Sequence, residues 1–338
     1  MIRRASDACV FATVPEPGHA EGIVINGDTV FAGTTGDAVA FSTGAKTPSV
    51  IFAFDRASGQ LEYTLPVEGE QLDPDAALNG ISGLAFDDAR RLYAADIQGR
   101  ILRFDLEARE PRQEVYATIP HLPSCEHATA GPGCSPTLDD RTPLPNGIVF
   151  DASGNLYVTD SWQATIFRVP AGGGPAQVWF QSERIDGFFG ANGIRPSPDG
   201  EAMYFAVTRD RTETSWIFRL PLVTAPSPRD LVAVATWPPR DRPLAPAGAD
   251  GIAFGTSGLL YVVLGGDEEV AVVDVTTGVR QRFASPLLHN PASLAFDNAN
   301  GRLLVTNHAF FEADPAQWTI VDLPIDDREV PPARPSVP

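Results

Sequence analysis

Residues 146–160 read NGIVFDASGNLYVTD, and variants of this stretch recur along the whole chain. Each variant is a short apolar strand, a turn built on Asp, Gly or Asn, and a second apolar strand. Six copies can be aligned, and their first residues are Glu21, Ser82, Asn146, Asn192, Asp250 and Ala292. A unit that recurs in this way indicates a repeat architecture rather than an irregular globular fold.

Further strands follow these copies. The third strands are predicted at 49–55, 99–105, 164–170, 215–221, 269–275 and 318–324. The fourth strands are predicted at 61–67, 113–119, 176–182, 231–237 and 280–287. The sixth copy lacks a clear fourth strand, and residues 8–14 (ACVFATV) are expected to supply it by pairing across the chain ends.

This arrangement predicts an all-β fold, a six-bladed β-propeller with four antiparallel strands in each blade. A four-stranded sheet cannot bury both of its faces alone, so each blade packs against its neighbours around a central channel. Pairing of the N-terminal strand with the last blade closes the ring and leaves no blade face exposed. No long linker interrupts the repeats, so residues 1–338 are expected to form a single domain.

The composition agrees with this fold and excludes several functions. Apolar residues make up 43% of the 338 residues, and 30 Gly and 31 Pro suit a protein with many tight turns. No apolar run is long enough for a membrane helix, so no membrane insertion is expected. The net charge of −18 repels phosphate backbones, so nucleic acid is not expected as a partner. We expect a monomer that acts on a small molecule, and the sequence leaves its compartment open.

The first residues of the six copies are the candidate functional positions. The innermost strands of a propeller run parallel around the channel, so these residues meet at one mouth. Four of them carry oxygen donors, namely Glu21, Asn146, Asn192 and Asp250. A hard cation such as Ca²⁺ prefers carboxylate and amide oxygens, and two carboxylates in one channel would repel each other without it. The alternative is that these are ordinary turn residues, since Asn and Asp commonly precede Gly in turns.

The glycine that follows each of the first five ring residues is expected to let the backbone turn sharply and bring the side chain close to the axis. No Cys or His cluster accompanies the ring, which disfavours zinc.

The ends of the second strands face the same mouth. His308 is the candidate there for substrate contact or proton transfer, because imidazole titrates near neutrality, and a structural role is the alternative. Asp96 and Asp160 are expected to hold turns through backbone hydrogen bonds. Phe188, Phe189 and Trp162 suggest an apolar wall or, alternatively, packing between blades.

Two segments lie outside the repeats. Cys125 and Cys134 sit close together in a Pro- and Gly-rich loop, where they could form a bridge or remain free thiols. The segment 326–338 is polar and rich in Pro, and it is expected to be loosely ordered.

The ring motifs resemble those of the regucalcin/gluconolactonase family, whose structural cousins are paraoxonase and diisopropyl fluorophosphatase. The motifs are AEGIVIN at Glu21, LPNGIVFD at Asn146, GANGIRPSPDG at Asn192 and GADGIAF at Asp250. The resemblance implies that Glu21, Asn192 and Asp250 are metal ligands, usually of Ca²⁺, and that Asn146 is a ligand or a substrate contact. It also implies that Asp250 is the catalytic base or nucleophile.

The function implied is a metal-dependent hydrolase of a lactone or related ester, in which the metal polarises the carbonyl. Three alternatives remain open at this point. The protein could hydrolyse phosphotriesters on the same site, or it could be a non-catalytic propeller that binds a ligand or protein and holds a structural metal. A metal-free enzyme like the strictosidine synthases is the third, although those usually lack the full set of ring donors.

Overall fold

The computed structural model describes residues 7–36, 46–73, 78–108, 111–126, 133–239, 247–310 and 314–338. These residues form six separate sheets, each of which contains one blade of four antiparallel strands, and regular α-helix is absent from them. In five blades the four strands come from one stretch of the chain, and in the sixth the N-terminal strand joins the last three strands. The prediction of a six-bladed all-β propeller is therefore confirmed. No helix in the described ranges is long and apolar enough to cross a membrane.

In blades 1 to 5 the first strand in the sequence lies at the channel, and each following strand lies further outward. In blade 6 the outermost strand is the first strand of the chain. Blade 1 contains β2 (Ala20–Asn26), β3 (Thr29–Thr34), β4 (Val50–Asp55) and β5 (Leu61–Pro66). Blade 2 contains β6 (Ile81–Phe86), β7 (Leu92–Asp96), β8 (Arg100–Asp105) and β9 (Arg112–Thr118). Blade 3 contains β10 (Pro145–Phe150), β11 (Leu156–Asp160), β12 (Thr165–Val169) and β14 (Gln177–Gln181).

The remaining blades follow the same order. Blade 4 contains β15 (Gly187–Pro196), β16 (Ala202–Asp210), β17 (Ser215–Pro221) and β18 (Val232–Trp237). Blade 5 contains β19 (Ala249–Phe254), β20 (Leu259–Leu264), β21 (Glu269–Asp274) and β22 (Gly278–Ala284). Blade 6 contains β23 (Pro291–Asp297), β24 (Arg302–Asn307), β25 (Thr319–Pro324) and β1 (Cys9–Thr13). The short β13 (Gly174–Pro175) pairs in parallel with β9 and so links blades 2 and 3.

The N-terminal strand closes the ring as predicted. β1 pairs antiparallel with β25, with Cys9 opposite Asp322 and Thr13 opposite Thr319. The first and last parts of the chain thus share one sheet, so unwinding of the ring requires the loss of a whole ladder of backbone hydrogen bonds.

The core lies between the blades rather than within any one of them. The cluster around Tyr93 and Phe150, for example, joins blade 2 to blade 3, and these two rings meet edge to face with their centroids 4.9 Å apart. Both side chains are fully buried. Apolar residues on both faces of a blade pack against the neighbouring sheets, which explains the nearly continuous burial of strands such as β7 and β11.

The segment 326–338 packs over the lower face of the ring, where the hairpin turns lie, so the expectation that it is loosely ordered is wrong. Its Asp327 carboxylate accepts hydrogen bonds from Tyr261 Oη at 3.0 Å and from the backbone N–H of Ser257 at 3.2 Å. Further along, Val337 is buried against the cluster between blades 2 and 3. The carbonyl of Pro338 accepts a hydrogen bond from Arg103 Nη1 at 2.8 Å.

Asp327 replaces a carboxylate that blade 5 lacks. The second, third and sixth repeats place Asp87, Asp151 and Asp297 at the start of the hairpin turn, but the fifth repeat has Gly255 there. A Cβ on Gly255 would overlap the Asp327 carboxylate. Tyr261 Oη donates to Asp327 as Tyr93 Oη donates to Asp87, at 3.1 Å, in blade 2. The polar composition of the segment predicted loose order. Composition does not reveal that Asp327 takes the place of the missing blade 5 carboxylate and so anchors the segment.

The two cysteines of the loop before blade 3 form a disulfide between Cys125 and Cys134. Cys9 is a free, exposed thiol. The bridge settles the two alternatives that the sequence left open.

Candidate active site at the upper mouth of the tunnel

The six ring residues lie at irregularities in the inner strands. The pairing of β2 with β3 shifts register between Ala20 and Ile23, and that of β15 with β16 shifts between Ala191 and Ile194. Equivalent shifts occur in the other four inner strands. A bulge re-aims a side chain that regular pleating would direct toward a neighbouring blade. The repeat therefore builds the mouth by the same local device six times.

The glycines after the ring residues serve a close approach of backbones. A Cβ on Gly193 would lie 2.5 Å from the carbonyl oxygen of Asp250, and one on Gly22 would overlap the carbonyl oxygen of Ser82. Neighbouring inner strands thus meet backbone to backbone around the axis. The expected sharp turn at these glycines does not occur, because they lie within strands; the narrowness of the channel is what requires them.

The four predicted oxygen donors come together. Glu21, Asn146, Asn192 and Asp250 line one cavity of about 30 Å³ at the upper mouth. This volume is close to that of one water molecule or one ion. The fifth ring residue with a polar side chain, Ser82, instead donates to the carbonyl of Pro145 at 2.8 Å and so holds two blades together.

The amide of Asn146 is held in one orientation by a neighbouring hydroxyl. Asn146 Nδ2 donates to Ser161 Oγ at 3.1 Å, and Ser161 Oγ in turn donates to the carbonyl oxygen of Ala191 at 2.8 Å. Because the hydroxyl proton is already used, Ser161 can only accept from the amide. The amide nitrogen is thereby turned toward Ser161, which leaves the Asn146 oxygen for the cavity.

Asn192 is held in the same way by blade 4. Its Nδ2 donates to Thr208 Oγ1 at 2.9 Å, and Thr208 donates to the carbonyl oxygen of Ala249 at 2.9 Å. Partners that fix the orientation of a ligand are typical of metal sites. The sequence did not predict this role, although it carries a signal for it: a hydroxyl residue, Ser161 or Thr208, at the end of the second strand in two neighbouring repeats.

The two carboxylates share a poorly solvated space. Burial, and then the negative charge of Glu21, raise the pKa of Asp250 well above its usual range. Hydrogen bonds from the Asn192 side chain and the Gly251 backbone act in the opposite direction but do not outweigh them. A cation in the cavity would offset both penalties. The donor set of two carboxylates and two oriented amides therefore fits Ca²⁺.

Among the residues that the structure describes, no three His, Cys, Asp or Glu side chains are placed to hold a metal ion together. A cation at this mouth would consequently need the amide oxygens of Asn146 and Asn192 beside the two carboxylates.

His308 lies directly beside the ring. Its Nε2 is 2.8 Å from Thr35 Oγ1 and 3.5 Å from Glu21 Oε2. His308 is only 6% exposed. Burial, with a smaller contribution from His19, lowers the pKa of its imidazole to about 3. The imidazole is thus neutral at pH 7, so the expectation that it titrates near neutrality is wrong. The reason is desolvation, which disfavours the charged form.

The backbone of His308 is also fixed. His19 Nδ1 lies 2.8 Å from the carbonyl oxygen of His308, and His19 packs against Trp318 with ring centroids 5.0 Å apart. His19 directly precedes blade 1, whereas His308 and Trp318 lie between two strands of blade 6. His308 is therefore held at the point where the first and last blades meet.

Asp96 and Asp160 hold turns, which confirms the prediction. Asp96 Oδ1 accepts from the N–H of Gln98 at 2.9 Å. Asp160 Oδ1 accepts from the N–H of Trp162 at 3.0 Å and of Gln163 at 2.9 Å. Both carboxylates are fully buried and turned into the blade, away from substrate chemistry.

Solved structures share this fold. The chain is similar to a calcium-binding protein, regucalcin, from Agrobacterium tumefaciens, with 17% identity and a TM-score of 0.64 over 97% of this chain and 96% of that one. It is similar to a luciferin-regenerating enzyme, with 13% identity and a TM-score of 0.60 over 94% and 96% of the two chains. A putative gluconolactonase gives 16% identity and a TM-score of 0.57 over 95% and 93%.

Comparison of the sequence with family models and with curated proteins finds no match. The resemblance predicted from the ring motifs is confirmed by the solved structures, which match this chain over nearly its whole length. At these low identities it establishes the architecture: the chain has the regucalcin- and gluconolactonase-like propeller fold.

Proposed function

We propose that the protein is a metal-dependent hydrolase of a lactone or related ester, with Ca²⁺ held by Glu21, Asn146, Asn192 and Asp250. The observation that carries the proposal is the convergence of these side chains on one cavity the size of an ion. The raised pKa of Asp250 and the held amides support it, because both suit an oxygen-ligated cation. The regucalcin neighbour is described as calcium-binding, which agrees.

The chemistry follows from these groups. The cation, when bound, would polarise the substrate carbonyl and stabilise the developing oxyanion. Asp250 takes a proton from a water molecule whose oxygen forms the new bond to the carbonyl carbon, and the ester C–O bond breaks. That proton then passes to the departing alkoxide, so the product is the open hydroxy acid. Direct attack by Asp250 on the carbonyl carbon is the other route that this geometry allows.

His308 has a different part in this proposal. A neutral imidazole has a single N–H. When that proton is on Nε2, which lies beside Thr35 and Glu21, His308 helps to position the Glu21 carboxylate. Its low pKa makes it a poor base, so proton transfer is assigned to Asp250.

The test is hydrolysis of a panel of small lactones, aryl esters and phosphotriesters by the purified protein, with and without a chelator. We expect lactone hydrolysis that disappears with the chelator and returns with Ca²⁺, while the far-ultraviolet circular dichroism stays unchanged. Phosphotriester hydrolysis alone would reassign the substrate. No hydrolysis of any member, or activity indifferent to the chelator, would overturn the proposal and favour the non-catalytic or metal-free alternatives.

A further inference from the structure

Blade 4 rises above the other blades at the upper mouth. Its two inner strands, β15 and β16, contain 10 and 9 residues, whereas those of blade 3 contain 6 and 5 and those of blade 5 contain 6 each. The extra pairs are Gly187 with Asp210 and Phe189 with Arg209. They precede Asn192 along β15, so the extension continues outward from the ring.

The extension carries an exposed aromatic group, which we call the ledge: Trp162, Phe188, Phe189 and Arg209. The side chain of Phe188 is 57% exposed, more than any other large apolar residue among those described. It meets Phe189 edge to face at 5.0 Å, and the Arg209 guanidinium lies 5.7 Å from its ring centroid. Trp162 Nε1 donates to the carbonyl of Phe188 at 3.0 Å.

The ledge adjoins the groups that orient the ring amides. Trp162 directly follows Ser161, and Arg209 directly follows Thr208. Phe188 stands four residues before Asn192 on the same strand, a separation of about 13 Å along an extended chain. A substrate whose reacting carbonyl lies at the ring would therefore reach the ledge with a substituent of comparable length, such as a phenyl ring on a chain of several carbons.

The ledge is braced from outside by the disulfide-closed loop. Arg211 Nη2 donates to the carbonyl of Pro136 at 3.0 Å, and its Nε pairs with the Asp186 carboxylate. Arg141 Nη1 donates to the carbonyl of Gly187 at 2.9 Å. On the blade 3 side, Ser135 Oγ donates to the carbonyl of Gln163 at 2.8 Å. These contacts fix the backbone that carries the ledge, so little loop entropy remains to be lost on binding.

We propose that the ledge binds an aromatic or similarly planar apolar substituent of the substrate, and that Phe188 is the main residue of this specificity. The inference rests on the proposed function for the position of the reacting carbonyl. Two features suit an aromatic partner: the exposed ring of Phe188, and the Arg209 guanidinium, which lies against this ring and pairs with Glu213.

The experiment compares a δ-lactone that carries a 5-phenylpentyl side chain with δ-gluconolactone, which is polar. For Phe188→Ala the ratio of the two kcat/KM values should fall about tenfold, mainly through a higher KM for the phenylpentyl lactone, since the ledge lies away from the reacting bond. Val115→Ala is the matched control, because Val115 is 51% exposed on the outermost strand of blade 2. It should leave the ratio unchanged.

A second measurement keeps this inference separate from the proposed function. Binding of the open hydroxy acid that forms when the phenylpentyl lactone is hydrolysed is followed by calorimetry in the wild type and in Phe188→Ala. Weaker binding to the variant supports the ledge even if no lactone is hydrolysed. Hydrolysis of both lactones with an unchanged ratio overturns the ledge and leaves the hydrolase proposal intact. No hydrolysis together with equal binding to both proteins overturns both.

Discussion

Asp327 and Asp250 lie at opposite ends of the tunnel and have opposite electrostatics. At the lower face, burial alone would raise the pKa of Asp327, but donors from Ser257, Arg328 and Tyr261 bring it below its usual value. At the upper mouth, burial and the charge of Glu21 raise the pKa of Asp250. The ionised form of an aspartate is thus stabilised at the lower face and destabilised at the upper mouth.

This difference separates a structural from a functional carboxylate. Asp327 is surrounded by hydroxyl and N–H donors, which satisfy its charge within the protein. Asp250 shares its space with a second acid, and only an external cation or a proton would remove the penalty. Buried acids that a fold leaves electrostatically unsatisfied are candidates for function. The following substitutions test whether the two roles can be separated.

The largest effect is expected from Asp250→Asn. If Asp250 is the base, kcat for the best lactone should fall about 10³-fold, while the protein stays folded. Steady-state kinetics and circular dichroism check this. The matched variant is Asp327→Asn, which should lose stability but keep kcat within about twofold. A near-normal rate for Asp250→Asn would contradict the mechanism.

Asp327→Ala should destabilise the protein by about 3 kcal/mol, because several buried donors lose their acceptor. Urea unfolding measures this. Gly255→Asp should also destabilise, since its side chain occupies the space of the Asp327 carboxylate. The double variant should recover part of the loss, because blade 5 would then have its own turn carboxylate, as blade 2 has Asp87. Additive losses would show that the two positions are independent.

Calcium should stabilise the wild type but not Asp250→Asn. At a free concentration one hundred times its Kd, a ligand of the folded state contributes about 2.7 kcal/mol to the free energy of unfolding. The midpoint of thermal unfolding with Ca²⁺ and with chelator reports this. In chelator alone, Asp250→Asn should be the more stable protein, because the substitution removes the repulsion with Glu21. Equal stabilisation of both proteins by Ca²⁺ would place the ion elsewhere.

The smallest effect concerns Glu329, at the lower mouth. Burial raises its pKa from 4.5 to about 7, against the opposing charges of Arg195 and Arg334. The protonated form is thus favoured in the folded state, so this contribution to stability is complete below pH 4.5 and is lost as the pH rises through 7. Glu329→Gln should match the wild type at pH 4 and exceed it by roughly 1–3 kcal/mol at pH 8. A constant difference across this range would contradict the assignment.

Much of the fold could be predicted because its information is local. Each blade repeats the same alternation of apolar strands and turn residues, and the third strands differ from prediction by at most one residue at either end. The main displacement is β22, predicted at 280–287 and found at Gly278–Ala284. There the Asp274 carboxylate accepts from the N–H of Thr276 at 2.8 Å and tightens the turn, so the strand begins earlier.

The candidate site was predictable in part for the same reason. The equivalence of positions in a repeat places Glu21, Asn146, Asn192 and Asp250 at one mouth, whatever their separation along the chain. The charge state of His308 was not predictable, because it depends on burial beside Thr35 and Glu21, which lie 273 and 287 residues away. The lower segment was missed although Gly255 interrupts the Asp of its repeat, since a missing carboxylate does not reveal which distant residue replaces it.

The sequence by itself determined the number of blades, the closure of the ring by its first strand and the set of oxygen donors at the upper mouth. Periodic patterns are enough for these, because they follow from the order of strands and not from distances between side chains. Tertiary structure alone decided which way each amide turns, which acids are satisfied and where the last residues pack. Those outcomes depend on hydrogen-bond geometry and desolvation between residues far apart in the chain, which no local pattern encodes.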